Sequence, residues 1–134
     1  MRKTAYLGLA TLATLSILLL AMSSPVLASA KPGIPGVLLT GKWVDGYGNK
    51  FILVAVGGKV FGLMITPDCG LWIVNGNYTG SSFALMLNNL PPIEEGCPEW
   101  IIYYGTLESF STASIYWEDS TGMAGGTTMT RGWA

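Results

Sequence analysis

From residue 37 onward the chain alternates apolar with polar or small positions in short runs, broken at intervals by Gly, Pro, Asn, Asp and Ser. Alternation with a period of two is the mark of a half-buried strand, and no stretch keeps the 3.6-residue spacing of an amphipathic helix. The pattern predicts eight strands, over 37–45, 49–56, 59–66, 71–78, 82–88, 100–108, 112–119 and 125–133, each rich in Val, Ile, Thr or aromatics. Eight short strands with short connections predict an all-β fold, an antiparallel up-and-down barrel, rather than a sandwich with long crossovers. Such a barrel has an interior that side chains fill, or that holds one small ligand.

The connections sort by parity. The second, fourth and sixth are tight: Gly57-Gly58, Thr79-Gly80-Ser81 and Ser109-Phe110-Ser111. The first, third, fifth and seventh are longer or chemically richer, carrying "GYG", "PDCG", "NLPPIEEGCPE" and "STGMA". In a meander, alternate connections share an end, so one end is closed by hairpins and the other is a looped mouth. Cys69 falls in the third connection and Cys97 in the fifth, both at the mouth, where a disulfide is geometrically sensible.

The chain's start has a different character. Arg2 and Lys3 precede an apolar run that ends in small residues at Ala28-Ser29-Ala30. This order is that of a secretory signal peptide over residues 1–30, with an uncleaved membrane anchor as the rival reading. Residues 31–36, "KPGIPG", read as a flexible leader, and 37–134 as the barrel domain, expected to be secreted or periplasmic and without stable membrane insertion once the signal is removed. In an exported chain a single Cys pair most often means one disulfide, and there is no His or third Cys to complete a metal site.

Charge and composition narrow the function. After residue 30 there are five basic residues (Lys31, Lys42, Lys50, Lys59, Arg131) and eight acidic ones, a balance unsuited to nucleic acid. Without His there is no Ser-His or Cys-His pair and no histidine base, which leaves carboxylate-only catalysis as the remaining enzymatic route; no enzyme activity and no cofactor are expected.

Thr40-Gly41-Lys42-Trp43, followed by Asp45, Gly48, Asn49 and Phe51, resembles the first strand and turn of avidin and streptavidin. Thr128-Met129-Thr130-Arg131 resembles the last strand of that family, and Trp117 falls at its penultimate-strand pocket tryptophan. The Gly-x-Trp opening is shared with lipocalins and other calycin barrels. The resemblance implies an avidin-like or lipocalin-like barrel in which Gly41, Trp43 and Arg131 are structural. Carried over by position, Asp45 stands for the family's ureido-binding Asn, Asn49 for its Ser and Met64 for its Tyr. An ionised Asp only accepts hydrogen bonds and Met64 offers no donor, so the resemblance supports the barrel and not tight biotin binding.

The resulting expectation is a small-molecule binding protein with an apolar, aromatic-lined pocket. Its candidate ligand-binding residues are Asp45, Tyr47, Asn49, Met64, Thr66, Trp72, Tyr104, Trp117 and Thr127. Tyr103 and Tyr104 are adjacent, so one of them faces inward. Asp45, Asp68, Glu94, Glu95, Glu99, Glu118 and Asp119 all map to the mouth end, which predicts a neutral or cationic ligand. The alternative is a protein-binding module, such as a secreted or periplasmic protease-inhibitor-type barrel, meeting its partner with the acidic loops. Either reading leaves room for a homo-oligomer.

Overall fold

The computed structural model describes Gly33–Trp133. The expected signal peptide over residues 1–30 lies outside the described residues. Eight strands follow in order: β1 (Gly41–Val44), β2 (Lys50–Val56), β3 (Lys59–Thr66), β4 (Gly70–Thr79), β5 (Ser82–Asn89), β6 (Trp100–Leu107), β7 (Thr112–Asp119) and β8 (Ala124–Arg131). Each pairs antiparallel with the next, and β1 closes on β8 through Trp43↔Arg131 and Val44↔Thr130. The fold is the closed eight-stranded meander that the alternation predicts.

The strand parity sets the core. On β2 the inward set is Phe51, Leu53 and Ala55, and on β5 it is Phe83, Leu85 and Leu87. Full burial of a side chain of this size contributes roughly 1.5–3 kcal/mol, so the packed interior is the main source of stability. Gly105 on β6 makes room for this packing, because a Cβ there would sit 2.3 Å from Phe83 Cζ.

The first strand is shorter than the expected 37–45. Gly36–Leu39 forms a 3-10 turn instead, which buries Leu39 and directs its carbonyl at Trp43. Trp43 Nε1 donates to that oxygen at 2.8 Å, so the indole is both fully buried and satisfied. Ile34, in the approach to this turn, packs against the core as well.

Arg131 locks the hairpin end. Its guanidinium lies 4.3 Å from the Trp43 ring centroid and 4.1 Å from that of Phe110. It donates to the carbonyls of Thr40 and Phe110 at 2.9 and 2.8 Å, and to that of Leu38. Gly41, at φ +135°, lies beneath this arginine. Any Cβ there would be 2.7 Å from Arg131 Nη1, so both the space and the backbone demand glycine. Gly41, Trp43 and Arg131 thus meet at this end of the barrel.

Candidate ligand site at the barrel mouth

The opposite end is built from the β1–β2, β3–β4, β5–β6 and β7–β8 connections. The β1–β2 turn is organised by Asp45, which is 6% exposed. Its Oδ1 accepts the backbone N–H groups of Tyr47 and Asn49 at 2.9 and 3.0 Å. Its Oδ2 accepts Asn49 Nδ2 at 2.9 Å and the Tyr103 hydroxyl at 2.6 Å. Four donors thus hold one carboxylate and offset the cost of burying it. Burial pushes the Tyr103 phenol well above its ordinary value of 10, and the Asp45 charge and hydrogen bond add to that rise.

The Cys69–Cys97 disulfide joins the β3–β4 and β5–β6 connections, with Cα atoms 5.7 Å apart. Thr66 orders the first of these, donating from Oγ1 to Gly70 O and accepting from Cys69 N, both at 2.9 Å. In the second, Asn89 Nδ2 donates to Pro98 O at 3.1 Å. The β7–β8 turn is drawn in by Asp119, whose Oδ1 accepts from Thr121 N, Thr121 Oγ1 and Met123 N.

These loops frame a cavity of two lobes. The larger is about 430 Å³ and the smaller about 210 Å³, and Tyr47, Asn49 and Ile101 belong to both. Tyr103, Trp117, Asp119, Met123 and Ala124 complete the larger lobe. Trp72, Thr66 and the Pro67–Cys69 stretch, with Pro98, wall the smaller one. Tyr47 and Trp117 meet edge to face, 5.9 Å between centroids, and Trp117 Nε1 donates to the Tyr47 hydroxyl at 3.2 Å. That hydroxyl donates on to Gly126 O at 3.3 Å, so two aromatic walls are hydrogen-bonded into one unit. Trp72 Nε1 is buried and has no acceptor among the described residues.

Of the expected ligand residues, Tyr47, Asn49, Thr66, Trp72 and Trp117 all line the cavity. Four do not. Tyr104 points outward, stacks on Tyr116 at 6.2 Å and donates to Glu118 Oε2 at 3.4 Å. Its neighbour Tyr103 takes the inner position. Met64 is completely buried in the core, paired across the sheet with Phe51 and Trp72. Asp45 lies behind the wall and is saturated by its own loop and Tyr103. Thr127, on the same side of β8 as buried Met129, accepts from Gly46 N at 2.9 Å and anchors the β1–β2 turn to β8, and it is not among the lining residues.

The strand pattern of β6 carried the Tyr103 signal. Tyr103 shares its parity with Gly105 and Leu107, while Tyr104 shares parity with Thr106. Ile101 follows from the same count. Asp119, Met123 and Ala124 enter the wall through the shape of the β7–β8 turn, which period two does not describe.

The mouth is acidic by placement. Asp68, Glu94, Glu95 and Glu99 lie in its loops, and Glu118 and Asp119 end β7 there, while Glu108 lies at the hairpin end. Neither cavity lobe is lined by a Lys or Arg among the described residues.

No family model and no curated protein matches the chain. Solved structures do. A biotin complex of shwanavidin superposes with a TM-score of 0.59 at 17% identity, covering 70% of this chain and 97% of that one. The rhizavidin–biotin complex gives 0.57 at 15% identity, covering 69% and 99%. Apo short afifavidin gives 0.56 at 21% identity, covering 75% and 99%. The barrel is avidin-like in fold, spanning nearly the whole of each of those chains.

Proposed function

We propose that this chain is an exported binding protein that holds a small neutral or cationic molecule in the mouth of its barrel, without enzymatic chemistry. The observation that carries this reading is the two-lobed cavity walled by Tyr47, Trp117 and Trp72, set above a fully packed interior. Its volume lies in the range of small-ligand sites, and its lining is mostly apolar with a few oriented polar groups, as such sites require. Asn49 is the central polar contact. Its amide nitrogen donates to Asp45 Oδ2, which fixes the side chain, and its amide oxygen is the group that can accept from a ligand. The avidin-like fold supports a ligand-holding barrel, and two of the similar structures are biotin complexes.

The ligand chemistry differs from that of tight biotin capture. Asp45 has no hydrogen to donate and both its oxygens are occupied, and Met64 has none either. Asp119 and Asp68 border the two lobes, and no cation in either lining offsets them. Export is supported by the basic, apolar and small-residue order of residues 1–30 and by the disulfide.

The test is a panel of neutral, cationic and anionic small molecules titrated against the protein's tryptophan fluorescence. Saturable quenching by neutral or cationic compounds, abolished in Trp117→Ala, is the expected result. A preference for anions would overturn the assignment.

A further inference from the structure

The mouth end carries a further recess, apart from the two-lobed cavity. It is about 480 Å³ and lies between the β3–β4 and β5–β6 connections. It shares the Thr66–Cys69 stretch with the smaller lobe. Its other walls, Gly70, Leu71, Leu90, Pro91, Pro92 and Glu94, belong to neither lobe. Three links hold it in shape. The Cys69–Cys97 disulfide joins the two connections. Leu90 N donates to Leu71 O at 3.0 Å and ties the start of the β5–β6 connection to β4. Cys97 N donates to Glu94 O at 3.1 Å and closes the turn that carries Glu94. Pro91 and Pro92 restrict the backbone between Leu90 and Glu94. A recess braced in this way loses little further entropy when a partner settles in it.

The walls are of two kinds. Leu71 and Leu90 are 41% and 38% exposed, and Ile93, beside Glu94 in sequence, is 39% exposed. Against these apolar groups stand two carboxylates in the same lining, Asp68 from one connection and Glu94 from the other. Glu95 and Glu99 follow in the β5–β6 connection. The chain has no Lys or Arg between Lys59 and Arg131, while all but one of its eight acidic residues fall in that stretch. No basic side chain lines the recess among the described residues. Leucine and carboxylate in one wall, with no cation, are complementary to a side chain that is apolar along its stem and positive at its tip.

We propose that this recess is a docking site for an extended basic segment of a protein partner. The segment lays the stem of a Lys or Arg along Leu71, Leu90 and Pro91 and brings the charged head to Asp68 and Glu94. An apolar neighbour in the same segment covers Ile93, and Glu95 and Glu99 draw further basic residues to the rim. A metal ion fits less well, since no three carboxylates or cysteines come together as ligands among the described residues. A small ammonium ion would leave the leucines and prolines in water, and their burial is the larger gain. The inference does not rest on the small-ligand reading, because neither Tyr47 nor Trp117 lines this recess.

Titration of the purified protein with a capped Leu-Arg-Leu tripeptide, followed by amide chemical shifts, tests it. Saturable shifts are expected at Asp68, Leu71, Leu90 and Glu94, weakening as salt rises through the physiological range. The same tripeptide with Gln in place of Arg is expected to bind about ten-fold more weakly. Asp68→Asn with Glu94→Gln is expected to weaken the Arg tripeptide about ten-fold, since both carboxylates lose their charge with little change of shape. Leu90→Ser is expected to weaken both tripeptides, which reads the apolar wall separately from the charge. Glu108→Gln at the hairpin end and Trp117→Ala in the larger lobe are expected to leave the binding unchanged. No saturable shift, equal binding of the Arg and Gln tripeptides, a double variant that binds as the wild type does, or shifts confined to Tyr47, Asn49 and Trp117 would each overturn the proposal. The last outcome would place the peptide in the ligand cavity instead.

Discussion

The Tyr103 hydroxyl donates a 2.6 Å hydrogen bond to Asp45 Oδ2 across the barrel, joining β6 to the β1–β2 turn over 58 residues of sequence. The contact ties the far wall of the cavity to the loop that presents Tyr47 and Asn49. Asp45→Asn replaces one acceptor oxygen by a donor that faces other donors, and is expected to cost about 2–3 kcal/mol. Tyr103→Phe removes one bond and is expected to cost about 1–2 kcal/mol. In a urea-unfolding double-mutant cycle the two costs should fall short of additive, since both remove the same bond.

The same pair sets an alkaline limit. Tyr103 holds its proton more tightly in the folded barrel than in the unfolded chain, because of burial and then the Asp45 charge. The unfolded state therefore loses this proton first, near pH 10, and from there stability falls as pH rises, by about 1.4 kcal/mol per unit for one proton. Below that pH the contribution is fully present. Unfolding midpoints measured from pH 8 to 11 should drop above pH 10 in the wild type, and drop less in Tyr103→Phe.

The strand pattern carried most of the architecture. Strand count, barrel closure, hairpin and mouth ends and the disulfide all follow from period two, turn composition and loop parity. What it carried poorly were facing and approach. On β2 both faces are apolar, so alternation alone does not say that Phe51, Leu53 and Ala55 face in while Ile52, Val54 and Val56 face out. The 3-10 turn at Gly36–Leu39 resembles strand sequence until Trp43 and Arg131 claim the carbonyls of Leu38, Leu39 and Thr40. At the site, position-by-position resemblance put Asp45, Met64 and Thr127 in the cavity. The chain uses them instead as a loop clamp, a core layer and a turn anchor, roles fixed by contacts distant in sequence.

Reducing the Cys69–Cys97 bond releases a loop of 28 residues' separation. The chain-entropy model gives a loss of about 3–4 kcal/mol. The effect should concentrate at the mouth, because the bond joins two of its loops. Hydrogen exchange after reduction is expected to rise in residues 67–70 and 90–99 first, with the hairpin end changing little. Uniform loss of protection would show that the bond supports the whole barrel instead.

Biotin is expected to bind weakly or not at all. A carbonyl oxygen in the cavity gains no donor from Asp45, which lies behind the wall with both oxygens occupied, and none from buried Met64, and each buried polar group left unmet costs about 1–3 kcal/mol. Two such losses remove several decades of affinity. Isothermal titration should give no tighter than micromolar binding. A nanomolar constant would show that Asn49, Trp72 and Trp117 capture the ureido group by another route.

The central claim is that the mouth cavity holds a small neutral or cationic molecule. Native mass spectrometry of the protein from its own host, beside a Tyr47→Ala, Trp117→Ala double variant prepared identically, tests it most directly. The account predicts an adduct of small-molecule mass on the wild type, neutral or positive when released, and its loss from the double variant. An anionic adduct, or one retained equally by both proteins, would contradict it.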